Sequence, residues 1–260
     1  MRTGSGTTRS FSVPPGQRVY AIGDIHGRLD LLNALLREIE LDSGRRGDGS
    51  EVILIFLGDL VDRGPNSRGV IDRLLSLSRE VPTSRFLLGN HDEVFLKATL
   101  GDPKALRFLV RIGGKETILS YGITENEYRR LDYDDLAIFL ASKVPEEHIN
   151  FLSSFEDYIV IGDYMFVHAG LRPGVDISEQ SGSDLRWIRG EFLKSKSSYP
   201  HMIVHGHTIS EKADVQKNRI GIDTGAFTSG CLTAIGLEGV ERWFLSARGE
   251  SDLRWVNIAD

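Results

Sequence analysis

Cysteine is almost absent from this sequence, which contains only Cys231. One thiol cannot form an intramolecular disulfide or a metal cluster held by several cysteines. Long apolar runs are also missing, because the sequence has no segment of membrane-spanning length and no signal-peptide core near its beginning. Positive charge is not in excess, since the formal net charge is −6. We therefore expect a cytoplasmic protein that binds neither membrane nor nucleic acid.

The remaining composition is that of a globular protein. Hydrophobic residues make up 40% of the chain and charged residues 26%, and 260 residues suffice for a domain with a substantial core. Residues 1–16 are rich in Gly, Ser, Thr and Pro and predict a flexible tail. We assign residues 251–260 to a second tail, which leaves 17–250 as a single domain.

Apolar runs and helical periodicity alternate at the start of that domain. Strands are predicted at 19–22, 51–58 and 83–89, and helices at 28–40 and 65–80. This order indicates an α/β fold with a parallel portion of sheet. Residues 101–157 are mostly helical in pattern, and we interpret them as a cap inserted over one edge of the sheet. A hairpin at Gly162-Asp163, a helix at 184–195 and further strands complete the chain.

Five short motifs place polar residues beside glycine directly after an apolar run. They are GDIHG (23–27), GDLVDRG (58–64), GNHD (89–92), HAG (168–170) and HGH (205–207). They contain five of the seven histidines of the chain. Because ligands of open α/β sheets bind beyond the carboxyl ends of the strands, we expect the motifs to converge at one rim.

The candidate metal ligands in these motifs are two aspartates, an asparagine and three histidines, with no thiolate. Oxygen and nitrogen donors of this kind suit manganese, iron or zinc. Six ligands are too many for one metal with an open catalytic position, but they can hold two metals that share a bridging carboxylate. Two metals roughly 3.5–4 Å apart can activate a water and clamp the oxygens of a phosphoryl transfer.

The order and approximate spacing of GDIHG, GDLVDRG, GNHD, HAG and HGHT resemble the metal-dependent phosphoprotein phosphatases. These enzymes form the serine/threonine phosphatase branch of the calcineurin-like metallophosphoesterases, and the bacterial type is the better match. The resemblance extends over residues 19–235. It implies a metallophosphoesterase-type α/β sandwich, in which two mixed β-sheets are flanked by helices in αββα order. It also implies two divalent cations, which we assign as manganese, with iron or zinc as alternatives.

The resemblance further implies which residues bind the metals. Asp24 and His26 would ligate the first metal, and Asp59 would bridge both. The second metal would be ligated by Asn90, His168 and His207. We choose His207 over His205 because the last ligand of the family precedes the threonine of a GHT motif.

The remaining roles concern the phosphate. By resemblance, His91 would protonate the leaving group while Asp62 orients its ring, and a hydroxide between the metals would attack phosphorus directly. Arg63 and Asn90 would bind the phosphate, together with Arg189 as a second catalytic arginine. Arg172 is the alternative to Arg189. Other interpretations stay open for four residues. Asp62 could form an ion pair with Arg63, Asn90 and Asp92 could have helix-capping roles, and Arg189 could lie on a solvent-exposed helix face.

Two substrate classes fit these motifs. The first is phosphoserine or phosphothreonine, and also phosphotyrosine, in a protein or peptide, with small phosphoesters as further substrates. The second is a dinucleoside tetraphosphate cleaved symmetrically on the same dimetal core. GDLVDRG favours the first class, because nucleotide hydrolases of this type usually lack an aspartate at position 62. A metal-bound scaffold without activity is disfavoured because both Asp62 and His91 are present. DTG at 223–225 has no second copy and does not indicate an aspartic protease.

Overall fold

The computed structural model of the protein describes residues 10–47 and 49–250. These residues form ten strands: β1 (Gln17–Ile22), β2 (Glu51–Phe56), β3 (Arg85–Phe86), β4 (Tyr158–Ile161), β5 (Tyr164–Val167), β6 (Met202–His205), β7 (Asp214–Val215), β8 (Arg219–Gly221), β9 (Cys231–Glu238) and β10 (Glu241–Arg248). They also form eleven α-helices: α1 (Leu29–Arg46), α2 (Ser67–Glu80), α3 (Asn90–Thr99), α4 (Pro103–Arg111), α5 (Lys115–Ser120), α6 (Glu125–Arg130), α7 (Tyr133–Lys143), α8 (Glu146–Ser153), α9 (Gly182–Trp187), α10 (Gly190–Lys194) and α11 (Ala226–Ser229). A short 3-10 helix covers Ile177–Glu179.

The strands form two mixed five-stranded sheets. In the first sheet the order is β10-β9-β1-β2-β3, with β1, β2 and β3 parallel. In the second the order is β4-β5-β6-β8-β7, with β5, β6 and β8 parallel. The parallel portion predicted from the first three strands is therefore confirmed.

Side-chain alternation along β1 explains how the layers stack. Val19 and Ala21 belong to a core shared with strands of the second sheet, whereas Tyr20 and Ile22 belong to a core shared with the helices. The far face of the second sheet packs through Met165 against α9 and α10. Strand β1 thus supplies both a sheet–sheet and a sheet–helix contact. The result is the predicted αββα sandwich, and the fold class is confirmed.

Several predicted elements have other bounds in the structure. Helix α1 continues to Arg46, because the buried guanidinium of Arg18 binds the carbonyls of Ser43, Arg46 and Gly47 in its last turn. Strand β3 is limited to two residues that pair with β2. The helix predicted at 184–195 is interrupted at Arg189, whose backbone angles are φ −131° and ψ −95°.

Residues 101–157 do not form a separate layer. Buried side chains of this segment, among them Leu106, Ile118 and Leu140, lie in the same core cluster as Leu32 and Val70 of α1 and α2. The segment is mostly helical, as predicted, and these side chains pack it against the helical layer.

The predicted tails differ in how much of them is described. Residues 1–9 and 251–260 lie outside the described residues. Residues 10–16 are attached to the domain, because Val13 is buried and Ser12 donates two hydrogen bonds to Asp163. The tail prediction for 1–16 is wrong for this last part. Within the described ranges, every helix is too short or too polar to cross a membrane.

Candidate metal centre

The five motifs follow the carboxyl ends of parallel strands. GDIHG follows β1, GDLVDRG follows β2, and GNHD follows β3 and opens α3. His168 directly follows β5, and His207 lies two residues after β6. The chain therefore brings all five motifs to one rim, as the sequence predicts.

Asp59 lies at the centre of this rim between two imidazoles. Its Oδ2 atom is 3.6 Å from Nε2 of His26, and its Oδ1 atom is 3.4 Å from Nε2 of His168. All three side chains are buried. A carboxylate with one oxygen toward each of two histidines has the arrangement that a bridging ligand requires.

Both of these imidazoles are fixed through their other nitrogen. Nδ1 of His26 lies 2.7 Å from the carbonyl oxygen of Val61, and Nδ1 of His168 lies 2.7 Å from that of Leu57. A carbonyl can only accept, so each Nδ1 carries the proton and donates it. Nε2 of both rings is then directed toward Asp59, as is typical of histidine ligands held by backbone carbonyls.

Two groups of side chains could each hold a cation. In the first, one ligand atom from each of His26, Asp59 and His91 lies within 4.8 Å of the others. In the second, the same holds for Asp59, His168 and His207. Asn90 adjoins the second group, because its Oδ1 atom lies 3.0 Å from Nε2 of His168. Asp59 belongs to both groups, which is the sharing predicted from the sequence.

The first group differs from the prediction in one member. It contains His91 and not Asp24, whose Oδ2 atom accepts a hydrogen bond from the backbone N–H of His207 at 3.0 Å. The Oδ1 atom of Asp24 and Nε2 of His207 are both buried and have no hydrogen-bond partner among the described residues. A buried polar atom without a partner costs free energy. These two atoms are therefore suited to ligate a bound cation.

Glycine is required where ligands approach the backbone. A Cβ atom at Gly206 would lie 2.0 Å from Oδ1 of Asp24, and one at Gly89 would lie 2.2 Å from Oδ1 of Asp59. Any side chain at these positions would displace a candidate ligand. The glycines of HGH and GNHD are therefore explained by steric contact with the carboxylates.

The charges of the site follow from burial and from neighbouring groups. Burial lowers the pKa of His26 and of His207 well below the ordinary value, so both rings are neutral at pH 7. Burial alone would raise the pKa of Asp59, but the adjacent His168 and His91 hold it well below the usual range. Burial and the nearby Asp223 raise the pKa of Asp24. Neutral His26 and His207 and an ionised Asp59 are the forms that bind cations. Burial alone would lower the pKa of His168, but the carboxylate of Asp59 raises it to about 10, so this ring has to release a proton when it binds a cation.

Backbone strain is concentrated in the same motifs. Among the described residues other than glycine, a positive φ occurs at His26, Asp59, Asp62, Arg63 and His207. This conformation costs about 1–2 kcal/mol for an ordinary residue, so the surrounding fold must stabilise it.

His91 and Asp62 form a buried pair beside the first group. Nδ1 of His91 lies 2.7 Å from Oδ2 of Asp62, and the two side chains are 4% and 0% exposed. Because Nδ1 is bound to Asp62, Nε2 is the nitrogen of His91 that remains for a substrate or a cation. The contact favours the predicted pairing over an ion pair of Asp62 with Arg63.

Arg63 is placed at the site by two contacts. Its Nη1 atom lies 3.4 Å from Nε2 of His26, and its guanidinium lies over the ring of Phe227. Phe227 also packs edge-on against His26, with the ring centroids 5.2 Å apart.

The two candidates for the second arginine differ in their surroundings. Arg189 is exposed and lies close enough to His207 to lower the pKa of that ring further. Arg172 forms ion pairs with Asp184 and Glu191. The position of Arg189 beside His207 favours it over Arg172 as the second phosphate-binding arginine.

Other motif residues have structural surroundings. His205 is buried against Phe192 outside both ligand groups, and burial lowers its pKa to about 4. Asp92 caps α3, because its Oδ2 atom accepts from the backbone N–H of Gly89 at 3.2 Å. Asn90 is the first residue of α3, and Gly89 occupies the cap position.

Sequence reasoning missed two residues of the DTGAF segment. Asp223 is buried near Asp24, Asp59 and Arg63, and Phe227 contacts Arg63 and His26. Asp223 follows β8, which is parallel to β6. Its position after a parallel strand is the same signal that identified the other motifs, and it could have found this residue too.

The family model described as calcineurin-like phosphoesterase matches residues 17–247. The chain belongs to this family. It is a metallophosphoesterase, an enzyme that hydrolyses phosphoesters at a dimetal centre, and the broader family inferred from the motifs is confirmed. The narrower assignment to serine/threonine phosphatases does not follow from this match.

Relatives of this chain among curated proteins carry a nucleotide-hydrolase name. Asymmetrical bis(5'-nucleosyl)-tetraphosphatase PrpE of Halalkalibacterium halodurans is 27% identical over 238 residues, which cover 85% of this chain and 90% of that protein. The protein of the same name from Bacillus subtilis is 26% identical over 239 residues, covering 85% and 91%.

Solved structures of similar shape have several activities in their names. A candidate diadenosine tetraphosphatase has a TM-score of 0.62 at 24% identity, covering 93% of this chain and 100% of that one. A cold-active protein tyrosine phosphatase has a TM-score of 0.57 at 21% identity, covering 90% and 81%. At these identities the likeness concerns the fold alone.

Proposed function

We propose that this protein is a dinucleoside tetraphosphatase, which hydrolyses one phosphoanhydride bond in the polyphosphate bridge of its substrate. The observation that carries the choice of substrate is the similarity along 85% of the chain to proteins named bis(5'-nucleosyl)-tetraphosphatase. The reaction itself rests on Asp59, because its two oxygens face His26 and His168 on opposite sides of a prospective dimetal centre.

In this proposal, Asp24 and His26 hold one cation with Asp59 as the shared ligand. Asn90, His168 and His207 hold the second cation with the same carboxylate. When bound, two divalent cations lower the pKa of a water and neutralise charge on the phosphoryl oxygens. Manganese is the cation that we propose.

The arginines bind the substrate through its charge. Arg63 lies at the edge of the first ligand group, and Arg189 is exposed beside His207. A guanidinium can donate two parallel hydrogen bonds to a phosphoryl group, and Asn90 would add an amide donor. A polyphosphate bridge carries several negative charges. Two metal cations and two arginines together neutralise more of this charge than the cations or the arginines would alone.

His91 would act as the proton donor to the leaving group, with Asp62 orienting its ring. This role matters less for a dinucleoside tetraphosphate, because a nucleotide leaves as a stable phosphate anion. It matters more for a phosphomonoester, where the leaving alkoxide must be protonated. The 2.7 Å contact between His91 and Asp62 therefore supports phosphomonoesters, including phosphoserine and phosphothreonine peptides, as a second candidate substrate class.

The bond that is cleaved is a separate question. The motifs alone predict symmetrical cleavage if the substrate is a dinucleotide, whereas the related proteins are named asymmetrical. Hydrolysis of diadenosine tetraphosphate gives two ADP molecules in the first case and ATP with AMP in the second. We propose the asymmetrical products, on the strength of those relatives.

The deciding experiment is a comparison of kcat/KM with Mn²⁺ for diadenosine tetraphosphate and for phosphoserine, phosphothreonine and phosphotyrosine peptides. A large preference for the dinucleotide, with ATP and AMP as products, is the expected result. A large preference for one phosphopeptide would replace this proposal with the second candidate. The Asp59→Asn variant, purified and assayed in parallel, is the control. It should be inactive, so any turnover in its preparation comes from a contaminating phosphatase.

A further inference from the structure

Thr117 of α5 lies in the helical segment 101–157, yet its hydroxyl contacts a residue of the candidate site. Its Oγ1 atom is 2.7 Å from Oδ1 of Asp62 and 2.8 Å from the backbone N of the same residue. It is also 2.9 Å from Oγ of Ser67. All three residues are completely buried. These contacts cross from the helical segment to the GDLVDRG motif.

The directions of these hydrogen bonds follow from the number of protons. An ionised Asp62 carboxylate can only accept, so Thr117 must donate its single hydroxyl proton to Oδ1. The hydroxyl of Thr117 then accepts from the backbone N–H of Asp62 and from the hydroxyl of Ser67. Ser67 in turn accepts from that same N–H at 3.1 Å. Every polar atom of this cluster has a partner.

The cluster holds Asp62 in a conformation that it would not otherwise adopt. Asp62 has a φ of +72°, which is unfavourable for a residue with a Cβ atom. With Oδ1 bound by Thr117, Oδ2 remains for Nδ1 of His91 at 2.7 Å. Thr117, Asp62 and His91 therefore form a continuous chain of hydrogen bonds that ends at the metal centre.

The same segment also supports the next residue of the motif. The backbone N–H of Arg63 donates to the carbonyl of Gly113 at 2.9 Å. A Cβ atom at Gly113 would lie 2.8 Å from Cγ of Arg63, so the turn before α5 fits closely around that side chain. Residues 113–117 thus contact both Asp62 and Arg63.

We infer that Thr117 is a positioning residue: by holding the carboxylate and backbone of Asp62, it sets the orientation of His91 toward the substrate. The helical segment 101–157 thereby completes the catalytic centre. This inference rests on the proposed role of the His91–Asp62 pair, but it does not depend on which phosphoester is the natural substrate.

The test compares Thr117→Val, which keeps the shape but removes the hydroxyl, with Thr117→Ser, which keeps the hydroxyl. The substrates are phenyl phosphate and 4-nitrophenyl phosphate, because phenolate needs a proton on departure far more than nitrophenolate does. Loss of a supporting contact of this kind typically costs about 10- to 100-fold in activity. We expect a loss of that size in kcat for Thr117→Val on phenyl phosphate, a much smaller loss on 4-nitrophenyl phosphate, and near wild-type values for Thr117→Ser.

A second measurement separates positioning from a general structural role. If Thr117 acts through His91, Thr117→Val should add little to the loss that His91→Asn already causes on phenyl phosphate. Equal losses on both substrates, or losses that multiply in the double variant, would overturn the inference. Thr117→Ala takes the place of Thr117→Val if the latter does not fold.

The outcome for wild type keeps the two proposals apart. Wild-type protein that turns over neither aryl phosphate nor dinucleotide would refute the proposed function and this inference with it. Wild-type turnover together with substrate-independent losses in the Thr117 variants would refute this inference alone.

Discussion

The guanidinium of Arg63 lies over the ring of Phe227, with its Cζ atom 4.6 Å from the ring centroid. The same ring contacts His26 edge-on, and it is almost completely buried. One aromatic side chain therefore supports both a candidate phosphate-binding group and a candidate metal ligand. A cation over an aromatic face is stabilised by about 0.5–2 kcal/mol, so the ring favours this position of the guanidinium.

Replacing Phe227 by leucine should weaken substrate binding. The loss of about 0.5–2 kcal/mol corresponds to a KM that rises about 2- to 30-fold. We expect a smaller change in kcat, and Phe227→Tyr, which keeps an aromatic face, should stay close to wild type. The measurement is steady-state kinetics of the three proteins on one substrate. An unchanged KM in a folded Phe227→Leu protein would mean that Arg63 is positioned by other contacts.

Asp59→Asn tests the bridging ligand. An amide in place of this carboxylate removes the negative charge that both cation groups share, so metal binding and metal-dependent turnover should be lost. Titration calorimetry with Mn²⁺ and activity assays would measure these losses, and circular dichroism would check the fold. Asp176→Asn, outside the five motifs, serves as the control. Retention of wild-type metal stoichiometry and turnover in Asp59→Asn would exclude the bridging role.

The two arginines that compete for the second phosphate contact can be compared directly. Arg189→Met should lower kcat/KM by about 10- to 100-fold, since a hydrogen bond to a charged group contributes about 1.5–3 kcal/mol. Arg172→Met should leave kcat/KM nearly unchanged, because Arg172 already pairs with Asp184 and Glu191. Steady-state assays of both variants provide the comparison. The reverse ranking would transfer the role to Arg172.

His91→Asn tests the proton donor. Loss of general acid catalysis costs about 10²–10⁴-fold in kcat, with a much smaller change in KM. We expect this loss on phenyl phosphate and on phosphoserine peptides, and a reduced loss on 4-nitrophenyl phosphate and diadenosine tetraphosphate. Rates on all four substrates measure the effect. Full activity of the variant on phenyl phosphate would remove His91 from the mechanism.

Local patterns were sufficient to predict the α/β layering, its parallel strands and most of the rim, whereas the two-sheet sandwich followed from the resemblance to the phosphatase family. The strand-to-glycine transitions at Asp24, Asp59 and Asn90 are visible in the sequence because strand, turn and ligand are consecutive. The second sheet likewise brings His168 and His207 to the same place. Such signals need no knowledge of distant contacts.

The features that escaped prediction depend on contacts between distant parts of the chain. Helix α1 extends to Arg46 because Arg18, which lies in strand β1, binds the carbonyls of Ser43 and Arg46 near the helix end. Thr117 has no recognisable local motif, and its role appears only where α5 meets Asp62. Phe227 has no signal of its own either, because an aromatic residue after DTG is most simply a core residue. The substrate could not be predicted for the same reason. It is determined by the surfaces around the site, whereas the metal ligands are shared by enzymes with different substrates.

The ion pair between the buried Arg18 and the partly exposed Glu238 gives a prediction about stability and pH. Arg18 is 2% exposed, and Glu238 accepts from its Nε and Nη2 atoms, both at 3.0 Å. Glu238→Gln leaves this guanidinium without its counter-charge, so the free energy of unfolding should fall by about 2 kcal/mol at pH 7. Glu241→Gln is the matched control, because Glu241 is 74% exposed and its ion pair with Arg46 spans 3.5 Å.

The pH dependence of this difference has a definite sign. The hydrogen bond from Arg18 lowers the pKa of Glu238 below its ordinary value of 4.5. The contribution of Glu238 is therefore fully present above that ordinary pKa, and it is lost as the pH falls through the lower pKa of the folded state. Urea unfolding of wild type and Glu238→Gln, with chelator present to remove metal effects, should show a difference that narrows below about pH 4.5. A difference that stays constant down to pH 3 would mean that the glutamate stabilises the fold by packing, because a packing contribution does not depend on its ionisation.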